Sequence, residues 1–235
     1  MISQRQESVL NAIVKEYINC AQPISSKFLE KGHGFDVCPA TIRNDMSRLT
    51  ELGYLLQPHT SAGRVPTDKA YRFFVDNLLE EETSVFEHVF EMKDIFQEQR
   101  KDALKFASKL LKFLSENSSS LAIAHLFDRD FIWKEGWEQV LKEPEFEEKK
   151  FVYSFAGFLE DFENNIKDFE QDYKISVFIG SENPFKIDDF SIISSKCYFP
   201  DKEEAMLALL GPKRMDYNKN ISLMNSLIKM LKDID

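Results

Sequence analysis

The chain has 235 residues, of which 43% are apolar and 30% charged, as is usual for a globular protein. Cys20, Cys38 and Cys197 lie far apart and form no Cys-x-x-Cys pair, which argues against a disulfide framework or a zinc ribbon. The formal net charge is −10, but residues 1–79 hold nine basic and eight acidic side chains. Affinity for phosphate is therefore expected in the first third of the chain. No apolar run reaches the roughly 18 residues of a membrane span, and the start does not resemble a signal peptide, so we expect a cytoplasmic protein.

Three helices are predicted at the beginning of the chain. The first is expected to start at a capping box formed by Ser3 and Gln6 and to end near Cys20. A short second helix follows, with Ser25 as its cap, Phe28 and Leu29 towards the core, and Gly32 and Gly34 as breakers. The third is expected to begin at Pro39 and to end before Gly53, with Ile42, Met46, Leu49 and Leu52 in one apolar stripe.

The next segment predicts a small ribbon and a fourth helix. Residues 54–56 favour a strand, and Arg64 and Val65 are expected to pair back onto it after a loop of small and polar residues. Thr67 is positioned to cap a helix that buries Tyr71, Phe74, Val75 and Leu78. This order of three helices, a ribbon and a further helix is typical of a winged helix-turn-helix.

The remainder predicts a mixed α+β domain. Residues 80–117 favour one long helix or two in series, and 133–172 favour further helices interrupted at Pro144. Strands are expected over 121–127, 174–180, 191–199 and 205–210, before a closing helix over 217–234. We therefore expect a winged-helix domain over 1–79, a helical linker over 80–118 and a small sheet covered by helices over 119–235.

The third helix carries chemistry suited to DNA. A helix fits the major groove, where Asn pairs with adenine and Arg with guanine. On the face opposite the apolar stripe, Asn44 and Arg43 are the candidate base readers, and Ala40 and Ser47 leave room for close approach, with Arg48 at the flank.

The loop after the first strand suits the DNA backbone. It contains His59, Thr60, Ser61 and Gly63, whose small or polar side chains let the main chain approach phosphates. Arg64 is expected to pair with a phosphate or to enter the minor groove. Gly63 is expected to supply dihedral angles that a tight loop needs.

Other functions remain open from these residues alone. A winged helix that docks proteins would show apolar anchors on the outer face of the third helix. The carboxylates Glu145, Glu147, Glu148, Asp161 and Glu163 favour a solvated helix face over a catalytic pair, and the turn containing Lys213 and Arg214 favours a structural role over an anion site. Without a P-loop, GxSxG, HExxH or GxGxxG motif, we expect no enzyme, no metal and no cofactor.

Residues 40–76, with the runs TIRND, ELGYL and QPHTSAGR, resemble the N-terminal domain of the HrcA family of bacterial heat-inducible transcription repressors. Residues 177–185 and 209–227 are similar to the closing part of the family's GAF-like domain, and 135–146 resemble another family segment. The likeness places the recognition helix on residues 40–52, with Thr41 joining Arg43, Asn44 and Arg48 as its polar signature, and the wing on residues 59–64.

The resemblance implies a homodimeric repressor that binds an inverted-repeat operator of chaperone genes and whose activity depends on the chaperonin GroEL. Two departures stand out. Cys38 and Pro39 replace the small polar residues usual before the recognition helix, and the middle region is shorter than in family members. The second departure leaves the dimer surface and the response to GroEL open but does not touch the DNA-binding residues. A repressor whose operator or signal differs from that of the family is a further alternative.

Overall fold

A computed structural model of the chain describes residues 2–35, 37–80, 103–167, 172–185 and 187–232. The chain divides into two compact units, Met1–Glu81 and Glu82–Asp235. Part of the predicted helical linker, residues 81–102, lies outside the described residues. Among the described residues, none of the helices combines the length and the hydropathy that crossing a bilayer requires.

The first two helices begin at the predicted caps. Helix α1, Gln4–Cys20, starts with the Ser3 hydroxyl accepting from the Gln6 amide and the Gln6 side chain accepting from the Ser3 amide. Helix α2, Ser26–His33, starts at Ser25, whose hydroxyl accepts from the Phe28 amide. The prediction that Phe28 faces the core is wrong, since it is 48% exposed. An eight-residue helix turns only a narrow stripe inward, and Leu29 occupies it.

Helix α3, Pro39–Glu51, and the ribbon after it also follow the predicted order. Ile42, Met46 and Leu49 are buried, and Gly53 takes a φ of 77° just after the helix. Strands β1, Leu55–Leu56, and β2, Val65–Pro66, pair antiparallel.

Helix α4, Asp68–Glu80, follows the ribbon and starts where predicted. The Thr67 carbonyl accepts from the amides of Ala70 and Tyr71 in its first turn. The Thr67 hydroxyl instead donates to the Gly53 carbonyl at 2.7 Å, so it ties the start of α4 to the end of α3. Tyr71, Phe74 and Val75 are buried as predicted, whereas Leu78 is only partly buried.

The second unit contains an antiparallel sheet in the order β4-β3-β7-β6-β5 among the described residues. Its strands are β3, Leu121–Leu126; β4, Phe131–Glu135; β5, Ser176–Ile179; β6, Phe190–Tyr198; and β7, Glu204–Pro212. Four of these strands confirm the predicted ones. Strand β4 was predicted as the start of a helical region, and that prediction is wrong.

The reason for β4 lies in its hairpin. The backbone turns after β3, where Asp130 takes a φ of 50°, and Leu126 then pairs with Phe131. The first three residues of β4, Phe131 to Trp133, are aromatic or β-branched and favour a strand. Pairing with β3 therefore overrides the helical periodicity further along the chain.

Helices cover both faces of this sheet. They are α5, Ala103–Ser118; α6, Trp137–Val140; α7, Lys149–Asn164; and α8, Tyr217–Lys232. On one face, Phe155 and Phe158 of α7 pack against Phe190, each with ring centroids 5.1 Å apart. On the other face, the Tyr217 hydroxyl of α8 lies 2.9 Å from the Ser191 hydroxyl. The predicted α+β class is confirmed.

In the second unit, Arg214 of the basic turn and two of the five carboxylates of the acidic cluster have structural partners. The Arg214 guanidinium is buried and donates to Glu145 at 2.7 Å and to Glu143 at 2.6 Å. Glu163 pairs with Lys134 across to β4. Arg214 is therefore occupied by carboxylates, in agreement with the structural interpretation of this turn.

Candidate nucleic-acid interface

The polar side of α3 faces solvent. Ala40, Arg43, Asn44 and Arg48 are exposed, while Thr41 and Ser47 are partly buried. The face opposite the buried stripe thus carries short or hydrogen-bonding side chains, which is the composition that a major groove accommodates.

The two arginines of this face differ in their surroundings. The Arg48 guanidinium donates to the Glu51 carboxylate at 2.7 Å, in a pair exposed to solvent. Arg43 makes no hydrogen bond or ion pair with any of the described residues. Arg43 is exposed, and its donors have no partner in the part of the chain that the structure describes.

An ion pair that sequence reasoning missed sets the orientation of α3. Arg5 of α1 donates to both carboxylate oxygens of Asp45, at 2.7 and 3.3 Å. Asp45 is only 4% exposed, and the pair raises the pKa of Arg5. Since Asp45 follows Ile42 by three positions, the periodicity already places its carboxylate on the inward side. The two-point contact opposes rotation of α3 about its axis and so fixes which residues face outward.

A lysine fixes the other end of α3. The Lys69 ammonium donates to the Leu52 carbonyl at 2.8 Å and lies 4.4 Å from the centre of the Tyr54 ring. A cation at a helix C-terminus is favourable because the last carbonyls lack intrahelical partners. Lys69 thereby ties α4 to α3.

The wing, residues 59–64 between β1 and β2, exposes its tip. His59, Thr60 and Ser61 are exposed, and the Ala62 amide closes the turn by donating to the His59 carbonyl at 2.9 Å. The Gln57 side chain donates to the carbonyls of Thr60 and Ala62, at 2.9 and 3.1 Å. This internal brace holds the tip in one shape with its hydroxyls outward.

Arg64 lies at the base of the wing, away from the tip, and is partly buried. Its Nε donates to the Thr50 hydroxyl of α3 at 3.0 Å, and that hydroxyl donates to the Met46 carbonyl at 2.8 Å. The Arg64 backbone pairs with Ile24 through two hydrogen bonds of 2.8 and 2.9 Å. Arg64 thus connects the wing both to α3 and to the segment before α2.

Gly63 is required for a different reason from the one predicted. Its φ lies outside the left-handed region, so the prediction of special dihedral angles is wrong. A Cβ added at Gly63 would come closer than 3.0 Å to the backbone N, C and O of Ile24. The wing therefore packs directly on another backbone segment, which only glycine permits.

A cleft of about 350 Å³ separates the wing from α3 and the start of α2. It brings Arg43 and Ser47 together with Thr60, Ser61, Gly63 and Arg64, whereas Ala40, Thr41, Asn44, Arg48 and His59 do not line it. The remaining lining residues are neutral: Ser25, Ser26, Met46, Gln57 and Ala62. Among the described residues that line it, the cleft therefore has two arginines and no carboxylate.

Comparison with known proteins identifies the family. The family model for the HrcA protein C-terminal domain matches residues 67–221. The chain belongs to the HrcA family. The matched region covers residues 82–221 of the second unit, and the resemblance noted from the sequence is confirmed.

Two HrcA relatives differ in how much of this chain they match. The heat-inducible transcription repressor HrcA of Thermodesulfovibrio yellowstonii is 28% identical over 340 aligned positions, which cover 98% of this chain and 97% of the relative. An alignment of that length must contain gaps against 235 residues. The repressor of the same name from Brevibacillus brevis is 44% identical over 123 residues, which cover 52% of this chain and 36% of the relative.

A solved structure shares the fold. The crystal structure of a hypothetical protein superposes with a TM-score of 0.76 at 18% identity and covers 99% of this chain and 97% of its own. At this identity the similarity concerns the fold alone.

Cys38 directly precedes α3 in this HrcA-family chain and is exposed. Its Sγ lies 3.4 Å from the Thr41 hydroxyl, and this hydrogen bond, with the backbone amide of Thr41, lowers the pKa of the thiol. Cys38 thus places an exposed thiol with a lowered pKa at the start of the predicted recognition helix.

Proposed function

We propose that this chain is a DNA-binding transcriptional repressor of heat-shock genes, which binds an inverted-repeat operator as a dimer and is released on heat stress. The observation that carries the proposal is the polar outer face of α3 beside a cleft whose described lining has two arginines and no carboxylate. The relatives named heat-inducible transcription repressor HrcA support the regulatory role.

In this proposal, α3 enters the major groove and the wing follows the adjacent backbone. Asn44 reads adenine through its amide, and Ala40, Thr41 and Ser47 allow the helix to come close to the bases. Arg48 exchanges its exposed partner Glu51 for DNA at little cost, because exposed ion pairs contribute only about 0–1 kcal/mol. His59, Thr60, Ser61 and Gly63 present the wing to phosphates.

A protein-docking role has less support. Among the described residues of α3, the outward face carries no large apolar side chain that could anchor a protein partner. The exposed donors of Arg43 and Asn44 suit a phosphate backbone and base edges better.

Asn44→Ala tests base reading. We expect a loss of about 1–3 kcal/mol on the chain's own operator, located first by footprinting its chaperone-gene promoters, and a smaller loss on a mixed-sequence duplex. Asn218→Ala, which changes an exposed asparagine of α8, is the matched control and should leave both affinities unchanged. Equal losses on both duplexes for Asn44→Ala would remove it from base readout.

The dimer follows from the proposed operator, because two half-sites require two copies of α3. Sedimentation of the chain with operator DNA should give two copies per duplex; a single copy at saturation would refute this part.

We also propose that GroEL maintains the active state. DNA-binding activity of refolded chain should then rise with GroEL and fall when GroEL is occupied by another unfolded protein, whereas indifference to GroEL would contradict it.

A further inference from the structure

We infer that Arg43 and Arg64 together hold one backbone phosphate of bound DNA in the cleft between α3 and the wing, which leaves base readout in α3 to Asn44. The inference rests on the proposed function and changes the role expected for Arg43. From the sequence, Arg43 was a reader of guanine, but its place on the wall of the cleft puts it beside the wing.

Among the arginines of the first unit, Arg43 and Arg64 differ from the others in their ion pairs with carboxylates. Arg5, Arg48 and Arg72 each lie within 3.3 Å of a carboxylate oxygen. Arg43 and Arg64 have no carboxylate partner among the described residues, although the chain has a net charge of −10. Both line the same cleft, so their uncompensated charges share one space.

The hydrogen bond from Arg64 to Thr50 orients the Arg64 guanidinium before a ligand binds. Thr50 takes only the Nε hydrogen bond, at 3.0 Å, and thereby restrains the guanidinium plane. The Nη atoms of Arg64 make no hydrogen bond with the described residues, and Arg43 keeps all its donors. A tetrahedral anion with several acceptor oxygens matches two planar guanidinium groups that donate from different elements.

The rest of the cleft suits a phosphodiester. Ser47, Thr60 and Ser61 add hydroxyl donors around it, and none of the described lining residues is a carboxylate that would oppose an anion. The cleft volume of about 350 Å³ is far larger than the roughly 10–15 Å³ that holds a single water, so the cleft has room for a phosphate group.

The salt dependence of DNA binding gives the number of phosphates that the protein neutralises. Each phosphate neutralised on duplex DNA contributes about −0.9 to the slope of log K against log salt. Two arginines on one phosphate therefore contribute about 0.9 together, whereas two arginines on separate phosphates contribute about 1.8.

The experiment is a salt series on a fluorescein-labelled mixed-sequence duplex, from about 50 to 200 mM salt. The full chain is compared with Arg43→Gln, Arg64→Gln and the double variant, with urea unfolding of each to confirm folding. Arg129→Gln, which removes the same charge from the second unit, is the control and should keep the wild-type slope.

We expect the double variant to lose about 0.9 of the slope, and its fold-loss in affinity to be smaller than the product of the two single losses. A loss of about 1.8 with independent single effects would overturn the shared phosphate. So would an Arg43→Gln variant with unchanged affinity for this mixed-sequence duplex, because Arg43 would then make no contact with the DNA backbone. A wild-type chain without duplex affinity would instead refute the proposed function.

Discussion

Gly63→Ala should loosen the wing, because the new Cβ would lie closer than 3.0 Å to three backbone atoms of Ile24. Such overpacking costs about 1–3 kcal/mol, since backbone cannot move aside as a side chain does. The shift also breaks the two hydrogen bonds between Ile24 and Arg64, each contributing about 0.5–1.5 kcal/mol. We therefore expect a total loss of about 2–6 kcal/mol in the stability of the wing and its surroundings.

Urea unfolding followed by circular dichroism measures this loss, and duplex titration shows whether the displaced wing weakens DNA binding. Gly32→Ala is the matched control. A Cβ at Gly32 meets nothing within 4 Å, and alanine in a helix is more stable than glycine by up to about 1 kcal/mol. If Gly63→Ala unfolds at the wild-type urea concentration and binds DNA equally well, the close contact with Ile24 is refuted.

Three further predictions concern the helix orientation, the exposed thiol and the sheet. Arg5→Met should lower stability in urea, because Asp45 stays buried without its partner, and adding Asp45→Asn should restore part of the loss; no recovery would contradict this. Duplex DNA should slow maleimide labelling of Cys38 and not of Cys20, the other exposed thiol; equal rates with and without DNA would exclude α3 from the interface. Burial lowers the pKa of His125, so the unfolded chain binds a proton at higher pH than the folded chain does, and stability should fall as the pH drops below about 6.5. His125→Gln should make this fall less steep, and an unchanged pH profile would show that His125 does not cause it.

Local signals predicted the first unit well because each of its element ends has a chemical marker. Ser3 and Ser25 cap helices, Pro39 occupies the first position of α3, and Gly53 follows its end. These markers act within one helical turn, so they can be recognised without knowledge of the tertiary structure.

Features that depend on distant partners were not predictable. Strand β4 forms because it pairs with β3, and the burial of Asp45 becomes favourable through Arg5, forty positions away. Gly63 faces Ile24 in the same way. The contact between Arg64 and Thr50, which holds the Arg64 guanidinium at the base of the wing, also joins residues that are 14 positions apart. A sequence shows the residue type at such positions and not the neighbour that gives it a role.

The same limit applies to the candidate interface. The outward residues of α3 follow from helical periodicity, and the exposed tip of the wing follows from its small polar residues. The cleft that joins Arg43 to Arg64 follows from neither, because it depends on how the wing folds back towards α3.

The central claim is that the outer face of α3 and the wing bind duplex DNA. Its most direct test is a fluorescence anisotropy titration of the full chain at about 50 mM salt, with a duplex from its own chaperone-gene promoters beside a mixed-sequence duplex. We predict binding to both, with at least about 10³-fold preference for the promoter duplex, and weaker binding to each at higher salt. Absence of affinity for either duplex at low salt would contradict the claim.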